Sequence, residues 1–263
     1  MISAFVITCD DEPAILRATL AAVRWADEVV LVDKSRLDPV VLPPNAHIVD
    51  RYLTVPWSPT VEETRPFALA QCTHNWIICL DADEILSPRC EVVFRGFTVA
   101  KTADVLMVPI KHHNLGRHDQ RALYWPEWRP TLARCGAIEY GPVVHAGNRI
   151  VGSVTTLPAE GDAFITHLSN PDVATYVEKI NRYTSRPQRT GVGVPPSGML
   201  REWAVDSLQR YEGRAGWGTD DYNDAVALLR GLYDLVDGLK RWEATQPPGR
   251  EVFLEIAAAE AER

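Results

Sequence analysis

The sequence predicts an α/β fold in which helices flank an open, mostly parallel β-sheet. Two apolar runs, Ile2–Thr8 and Glu28–Asp33, are typical of strands that are covered on both faces, and a helical pattern lies between them. The alternation of strand and helix repeats until the run WIICLD, which ends at Asp81. With 263 residues, 46% of them hydrophobic, the chain is long enough for one main domain and an appended tail.

The first helix and the next strand and helix follow from local signals. The acids of residues 10–12 precede Pro13, a pattern typical of a helix N-terminus, and the helix is predicted to extend to about Trp25. A strand is predicted near 47–53 and a helix near 61–72. In such sheets ligands bind at the carboxyl ends of the strands.

The second half of the main domain is less regular. Residues 103–110 and 164–168 have the composition of strands. The stretch 111–152 is rich in His, Arg, Trp and Pro without clear periodicity, so we expect it to form loops over the sheet.

Helices are predicted at 171–185, 197–211 and 219–245, the last with apolar residues at helical spacing and a mixed polar face. This helix is expected to pack on the domain or on a second subunit, which would make a homodimer through the C-terminal helices. We therefore divide the chain into a main domain with two halves and a helical C-terminal extension: 1–100, 101–185 and 186–263.

Composition argues against several classes of protein. A net charge of -8 disfavours binding to nucleic acid phosphates. The five cysteines show no metal-binding spacing and are predicted to be reduced. The first residues form a strand pattern and not a signal peptide, and no apolar run approaches the ~18 residues of a membrane span. We expect a cytoplasmic protein, either free or peripheral at the inner membrane face.

Three acids in four residues, in the motif DADE, follow the apolar run that ends at Asp81. In an extended segment Asp81 and Asp83 project to the same side, where two carboxylates favour a divalent cation such as Mn²⁺ or Mg²⁺. Alternatively, the acids cap a helix that starts near Leu86. Their position after a buried strand favours the cation site.

Several segments together resemble family 2 glycosyltransferases, particularly the bacterial branch of lipopolysaccharide-core β-1,4-glucosyltransferases. The segments are ISAFVITCDDEPAILRATLAAVRWADEVVLVD, ETRPFALAQCTHNWIICLDADEILSP, YWPEWRPTLARCGAIEYGPVVHA and FITHLSNPDVATYVEKINRYT. The region from Gly213 to Glu243 is similar more weakly. The order and spacing of these segments are more specific than any one of them.

The resemblance implies a GT-A fold with a Rossmann-like, mostly parallel open sheet. It implies that Asp83 is a direct metal ligand of a DxD motif and that Asp81 reaches the ribose or the metal. It further implies that Asp33 recognises the nucleobase, that Thr8 meets the nucleotide, and that Arg65 faces the nucleotide or its diphosphate.

The reaction expected for this family is inverting, metal-dependent transfer from a nucleotide sugar, a UDP-sugar in our interpretation, to a hydroxyl of a glycan or lipopolysaccharide-like acceptor. Such an attack requires a general base. Glu127 is the first candidate, with Asp119 and Glu139 in reserve. The alternative for Glu127 is an exposed loop acid or an ion pair with Arg129 or Arg134.

The chain also departs from the family pattern. His145-Ala146 stands where relatives read His-Glu, and Thr131 stands where they often carry arginine. His167 could reach the metal or the diphosphate, or could be a structural residue that ends a strand. His112, His113 and His118 lack the spacing of a helical zinc pair.

Three other functions remain as alternatives. A phosphatase of the haloacid-dehalogenase type also has DxD after a buried strand, but the downstream residues do not fit that class. The substitutions at Ala146 and Thr131 would suit a catalytically degenerate relative that binds nucleotide without turnover. DNA or protein could also replace a glycan as acceptor.

Overall fold

A computed structural model describes residues 1–36, 48–58, 60–141, 148–185, 193–212 and 217–261. The chain forms two compact units: Met1–Gln120 with Tyr124–Asp172, and Arg121–Leu123 with the residues from Val173 onward. The first unit thus ends at Asp172, before the helix that the sequence placed last in the main domain. The division at residue 185 stays a prediction.

The first unit contains eleven strands and three helices within its described residues. The strands are β1 Ile2–Thr8, β2 Glu28–Asp33, β3 Arg51–Thr54, β4 Trp76–Asp81, β5 Glu84–Leu86, β6 Val105–Asn114, β7 Glu127–Arg134, β8 Ile138–Glu139, β9 Arg149–Ile150, β10 Val154–Thr156 and β11 Ile165–Asn170. The helices are α1 Pro13–Val23, α2 Arg65–Gln71 and α3 Arg89–Ala100.

Among the described residues, nine strands form one sheet in the order β3-β2-β1-β4-β7-β6-β11-β5, with β10 paired to β6. The pairs among β1 to β4 are parallel, as are those of β6 with β10 and β11, whereas β7 and β5 run antiparallel to their neighbours. The predicted α/β class with a mostly parallel sheet is confirmed. β8 and β9 form a separate two-stranded sheet.

The core explains why the first strands have no polar alternation. β1 and β2 are buried over their full length, because apolar residues cover both faces of the sheet. On one face Val6, Leu31 and Leu80 pack in a cluster with Leu16 and Leu20 of α1, and a second cluster covers the other face. α1 begins at Pro13 as predicted, but no side chain caps its N-terminus.

The expectation that 111–152 forms only loops is wrong. β6 extends to Asn114, and β7 lies between β4 and β6, where it joins the two halves of the sheet. Pro130 and two arginines interrupt the apolar pattern of β7, so its strand character is not visible in the local sequence. β7 pairs with β4 through residues 132–134 and with β6 through residues 127–133.

The second unit is helical, with α4 Val173–Thr184, α5 Leu200–Gln209, α6 Asp221–Glu243 and α7 Gly249–Ala261. The first three agree with the predicted helices to within a few residues, and α7 was not predicted. α6 begins at a cap in which Asp220 accepts a hydrogen bond from the Asn223 amide. The homodimer through these helices stays a prediction. In the part of the chain that the structure describes, no helix combines the length and the apolar character of a membrane span.

Close packing of α5 on α6 depends on glycine. A methyl group added at Gly231 would lie 2.8 Å from the carbonyl oxygen of Ser207 and 2.9 Å from the Cα of Leu208. Nearby, the buried Asp234 accepts hydrogen bonds from the Tyr211 hydroxyl and from Arg210, each at 2.9 Å. Backbone contact and a buried carboxylate therefore hold the two helices together.

Candidate active site

The candidate site lies at the carboxyl ends of the central parallel strands. Thr8 of β1 is paired with Asp33 of β2, and Ile7 is paired with Asp81 of β4. The predicted nucleotide-binding residues therefore end neighbouring strands at one edge of the sheet, as the ligand sites of open α/β sheets do.

Asp81 is held by two arginines. Arg65 donates to both carboxylate oxygens, at 2.9 and 3.1 Å, and Arg129 donates to Oδ2 at 3.0 Å. Burial opposes ionisation of Asp81, but the charges of Arg129 and Arg65 outweigh it and hold the pKa of this carboxyl well below its usual range. Asp81 is thus ionised, and the guanidinium groups of Arg65 and Arg129 balance its negative charge.

Glu84 is the fully buried neighbour of this cluster. Its Oε2 accepts a hydrogen bond from the Asp81 amide at 3.0 Å, and its other oxygen is paired with Arg129. Sequence reasoning missed both Glu84 and Arg129 as site residues. Arg129 was considered only as a partner of Glu127, because nothing local indicates that β7 lies beside β4.

Asp83 faces a different partner. Residues 82 and 83 form a turn, with the Ala82 carbonyl oxygen accepting from the Thr19 hydroxyl at 2.7 Å. Asp83 Oδ2 lies 3.3 Å from His167 Nε2. The sequence analysis assumed an extended chain through both carboxylates, whereas residues 82 and 83 form a turn and the two side chains contact different partners. The shared cation site stays a prediction.

A series of polar contacts continues from Asp83 across the sheet. His167 Nδ1 lies 2.8 Å from His112 Nδ1, and His112 Nε2 lies 3.1 Å from Glu127 Oε2. Asp83, His167, His112 and Glu127 are therefore linked one to the next, and we call these four residues the carboxylate–histidine series. His112 was considered in the sequence only for zinc, and the pairing with His167 could not be read from local spacing.

Strand pairing explains how this series forms. His167 of β11 is paired with His112 of β6 on one side and with Glu84 of β5 on the other. Ile110 of β6 is paired with Glu127, the first residue of β7. The Leu168 amide donates to the Asp83 carbonyl oxygen at 2.9 Å, which fixes Asp83 beside β11. Backbone hydrogen bonds thus set the positions of all four side chains.

Asp83 and His167 offer a carboxylate oxygen and an imidazole nitrogen, both suitable ligands of Mn²⁺. Adjacent ligands of an octahedral ion with bonds of ~2.1 Å lie about 3 Å apart, close to the 3.3 Å separation of Oδ2 and Nε2. No group of three or more His, Cys, Asp or Glu side chains suited to a metal occurs among the described residues. The pair therefore fits an ion that takes its remaining ligands from water and phosphate, which is the usual mode of Mg²⁺.

Asp11 is a site residue that the sequence analysis treated only as a helix-capping acid. Its Oδ2 accepts from the Thr8 hydroxyl at 2.9 Å and from the Cys9 amide at 2.8 Å. Burial raises the pKa of Asp11 to about 6, the two hydrogen bonds oppose this, and the nearby negative charges of Asp83 and Asp81 add to it. The Thr8 hydroxyl thus donates to Asp11. The carboxylates of Asp11, Asp81 and Asp83 lie close enough to affect one another.

Asp33 is buried, with 2% of its surface exposed. It accepts from the amide and hydroxyl of Ser35, at 2.9 and 2.6 Å, and from the Tyr52 hydroxyl at 2.7 Å. Burial, the hydrogen bond to Asp33 and its charge raise the pKa of Tyr52 to about 12. The predicted recognition of a nucleobase by Asp33 stays a prediction.

The other candidates have partners of their own. Asp119 pairs with Arg117 at 2.7 Å, and Glu139 pairs with Arg149 at 2.7 Å. Arg134 lies 3.3 Å from Asp104. Thr131, which departs from the family pattern, is buried and donates to the Arg129 carbonyl oxygen. The other departure, at His145 and Ala146, lies outside the described residues.

No family model matches the sequence. A glycosyltransferase of Rickettsia typhi, named as uncharacterized, is 34% identical over 94 residues, which cover 34% of this chain and 30% of that protein. A second one, from Rickettsia bellii, is 31% identical over 121 residues, or 46% of this chain and 40% of that protein. The chain is a relative of glycosyltransferases. The match spans less than half the length of either curated protein, and the lipopolysaccharide-core branch stays a prediction.

Two solved structures show a weaker likeness. Residues 1–349 of Staphylococcus aureus TarS, in complex with UDP-GlcNAc, give a TM-score of 0.48 at 14% identity, covering 88% of this chain and 71% of the 1–349 chain. Glucosyl-3-phosphoglycerate synthase from Mycobacterium tuberculosis, in complex with Mn²⁺, UDP and glucosyl-3-phosphoglycerate, gives 0.35 at 17% identity, covering 43% and 44% of the two chains.

Proposed function

We propose that this protein is an inverting, metal-dependent glycosyltransferase that moves a sugar from a UDP-sugar to a hydroxyl group of a glycan or lipopolysaccharide-like acceptor. The observation that carries the proposal is the carboxylate–histidine series at the carboxyl edge of the sheet. One end of the series offers the two ligands Asp83 and His167, and the other end offers the carboxylate of Glu127. A donor diphosphate and a base for the acceptor would thus meet in one site.

Asp83 and His167 would hold Mn²⁺ or Mg²⁺, which would stabilise the negative charge on the departing diphosphate. Asp81 remains a predicted second ligand, and it would have to exchange Arg65 or Arg129 for the ion. The two guanidinium groups are suited to contact the diphosphate as well, because each presents several donors in a fixed plane.

Glu127 would remove the proton from the acceptor hydroxyl during its attack on the sugar. Its side chain is 52% exposed, so an acceptor can reach it, and the contact with His112 at 3.1 Å orients it. Inversion requires one in-line displacement with a base on the face opposite the leaving group. A carboxylate supplied from β7, across the sheet from Asp83, suits this arrangement.

Donor binding can be tested by thermal unfolding with UDP, with and without Mn²⁺, because a ligand that binds only the folded state raises the melting temperature. We expect a shift with UDP that needs Mn²⁺ and is lost in Asp83→Ala. Asp104→Ala is the matched control, since Asp104 is similarly exposed and paired with Arg134 at the other end of β6. An unchanged shift in Asp83→Ala would refute the assigned role.

Turnover distinguishes an enzyme from a degenerate relative. The protein would be incubated with Mn²⁺ and a panel of UDP- and GDP-sugars, and free nucleoside diphosphate would be measured. Slow hydrolysis supports a transferase, because water can replace the acceptor. Tight binding of a nucleotide sugar without release of diphosphate would support a binding protein instead.

A further inference from the structure

His112 is engaged at both ring nitrogens. Nδ1 lies 2.8 Å from His167 Nδ1, and Nε2 lies 3.1 Å from Glu127 Oε2. Only 15% of its side chain is exposed, and the Tyr124 ring packs against it with centroids 5.6 Å apart. A ring that is packed and bonded at both nitrogens holds both of its partners in place.

We propose that His112 is a positioning residue that orients His167 for metal binding and Glu127 for proton transfer, and so couples the two ends of the site. The inference rests on the proposed function. It deepens that function because it adds the second contact of His112, to His167, and so links metal binding to proton transfer.

One placement of the protons satisfies both contacts of His112 at once. When His167 binds a cation through Nε2, its single proton is on Nδ1, so Nδ1–H donates to His112 Nδ1. His112 then carries its own proton on Nε2 and donates it to Glu127. In this arrangement each of the two contacts of His112 contains one proton. Metal-ligating histidines commonly need such a partner at the second nitrogen.

The neighbouring His113 provides a matched control on the same strand. Its Nδ1 lies 3.2 Å from the Lys111 carbonyl oxygen, and its ring packs near His118. Alternation along β6 points successive side chains to opposite faces, so His113 is directed away from the carboxylate–histidine series. Substitution there perturbs the strand without removing a link of the series.

Two near-isosteric variants separate the two contacts of His112. His112→Asn keeps a polar atom near the position of Nδ1 and retains a partner for His167. His112→Gln keeps one near the position of Nε2 and retains a partner for Glu127. His112→Phe removes both, and His113→Phe is its control.

The measurement is Mn²⁺ binding in the presence of UDP, followed by the electron paramagnetic resonance signal of free Mn²⁺. We expect His112→Phe and His112→Gln to weaken Mn²⁺ binding by roughly 10- to 100-fold. His112→Asn and His113→Phe should stay close to the unsubstituted protein. Equal Mn²⁺ affinity in all variants, or equal loss in His112→Asn and His112→Phe, would overturn the inference.

A second readout concerns Glu127. At saturating Mn²⁺, His112→Gln should hydrolyse a UDP-sugar faster than His112→Asn, and the reverse order would contradict the proposal. If the unsubstituted protein binds no Mn²⁺ with UDP, the proposed function itself fails. If it binds Mn²⁺ and His112→Phe binds equally well, only the role of His112 fails.

Discussion

Arg129 Nη1 lies 3.0 Å from Asp81 Oδ2, although the two residues are 48 positions apart in the chain. The same guanidinium pairs with the fully buried Glu84. The motif that looks in sequence like an open acidic site is therefore partly neutralised by a cation from another strand. Asp83 is the member of the motif that faces the candidate metal partner His167.

Removing Arg129 should destabilise the protein strongly. In Arg129→Met the buried Glu84 loses its cationic partner, and breaking such a pair costs about 3–5 kcal/mol. Arg95→Met, which removes exposed ion pairs with Asp27 and Glu91, should cost less than about 1 kcal/mol. Urea unfolding monitored by circular dichroism measures both. Similar losses in the two variants would contradict the buried pairing.

Asp11 should make stability depend on pH. Its folded pKa of about 6 lies above the unfolded value, so the folded state binds the proton more tightly. The contribution of Asp11 to the free energy of unfolding is greatest below about pH 4, falls as the pH rises to about 6, and is then constant. Asp11→Asn should remove this slope and gain about 1–3 kcal/mol at pH 7. Asp10→Asn, at an exposed position, is the control, and an unchanged pH profile in Asp11→Asn would contradict the prediction.

Glu127→Gln should reduce the rate of sugar transfer while leaving donor binding intact. Loss of a general base lowers the rate by roughly 10²- to 10⁴-fold. Release of UDP from a UDP-sugar measures turnover, and the Mn²⁺-dependent thermal shift with UDP measures donor binding. Glu91→Gln, at an exposed position in α3, should change neither quantity. Full turnover in Glu127→Gln would show that another residue is the general base.

Gly231→Ala should destabilise the helical unit, because the added methyl group meets the α5 backbone at 2.8 Å. Overpacking of this kind costs about 1–3 kcal/mol. Gly96→Ala in α3 is the matched control: nothing lies within 4 Å, so alanine should gain about 0.5–1 kcal/mol from helix propensity. Thermal unfolding of the two variants gives shifts of opposite sign if the close approach is real, and a gain for both would argue against it.

The sequence was informative where structure depends on local pattern. Continuous apolar runs predicted β1, β2 and β4 and placed Asp33 and Asp81 at strand ends. Partners that come from distant strands could not be predicted. Arg129 reaches Asp81 through the antiparallel pairing of β7 with β4, and no residue near either one signals that pairing.

The directions of several side chains could not be predicted from the sequence either. Residues 82 and 83 form a turn where an extended chain was expected, and Asp81 and Asp83 contact different partners. The link between His112 and His167 depends on a parallel pairing of strands that lie 55 residues apart. Asp11 was read as a capping acid, yet it bonds to Thr8 and Cys9 and has no role at the helix cap.

The register of β6 against β11 links the packing of the core to the geometry of the candidate site. The register that places Ile110 beside Ile165 in the core also places His112 beside His167. A slip of one residue would turn every side chain of the strand to the opposite face, which would expose the isoleucine and remove the histidine from its neighbour. The register that buries these two isoleucines is thus also the register that pairs the two histidines. A misaligned sheet would lose stability together with the geometry of the site.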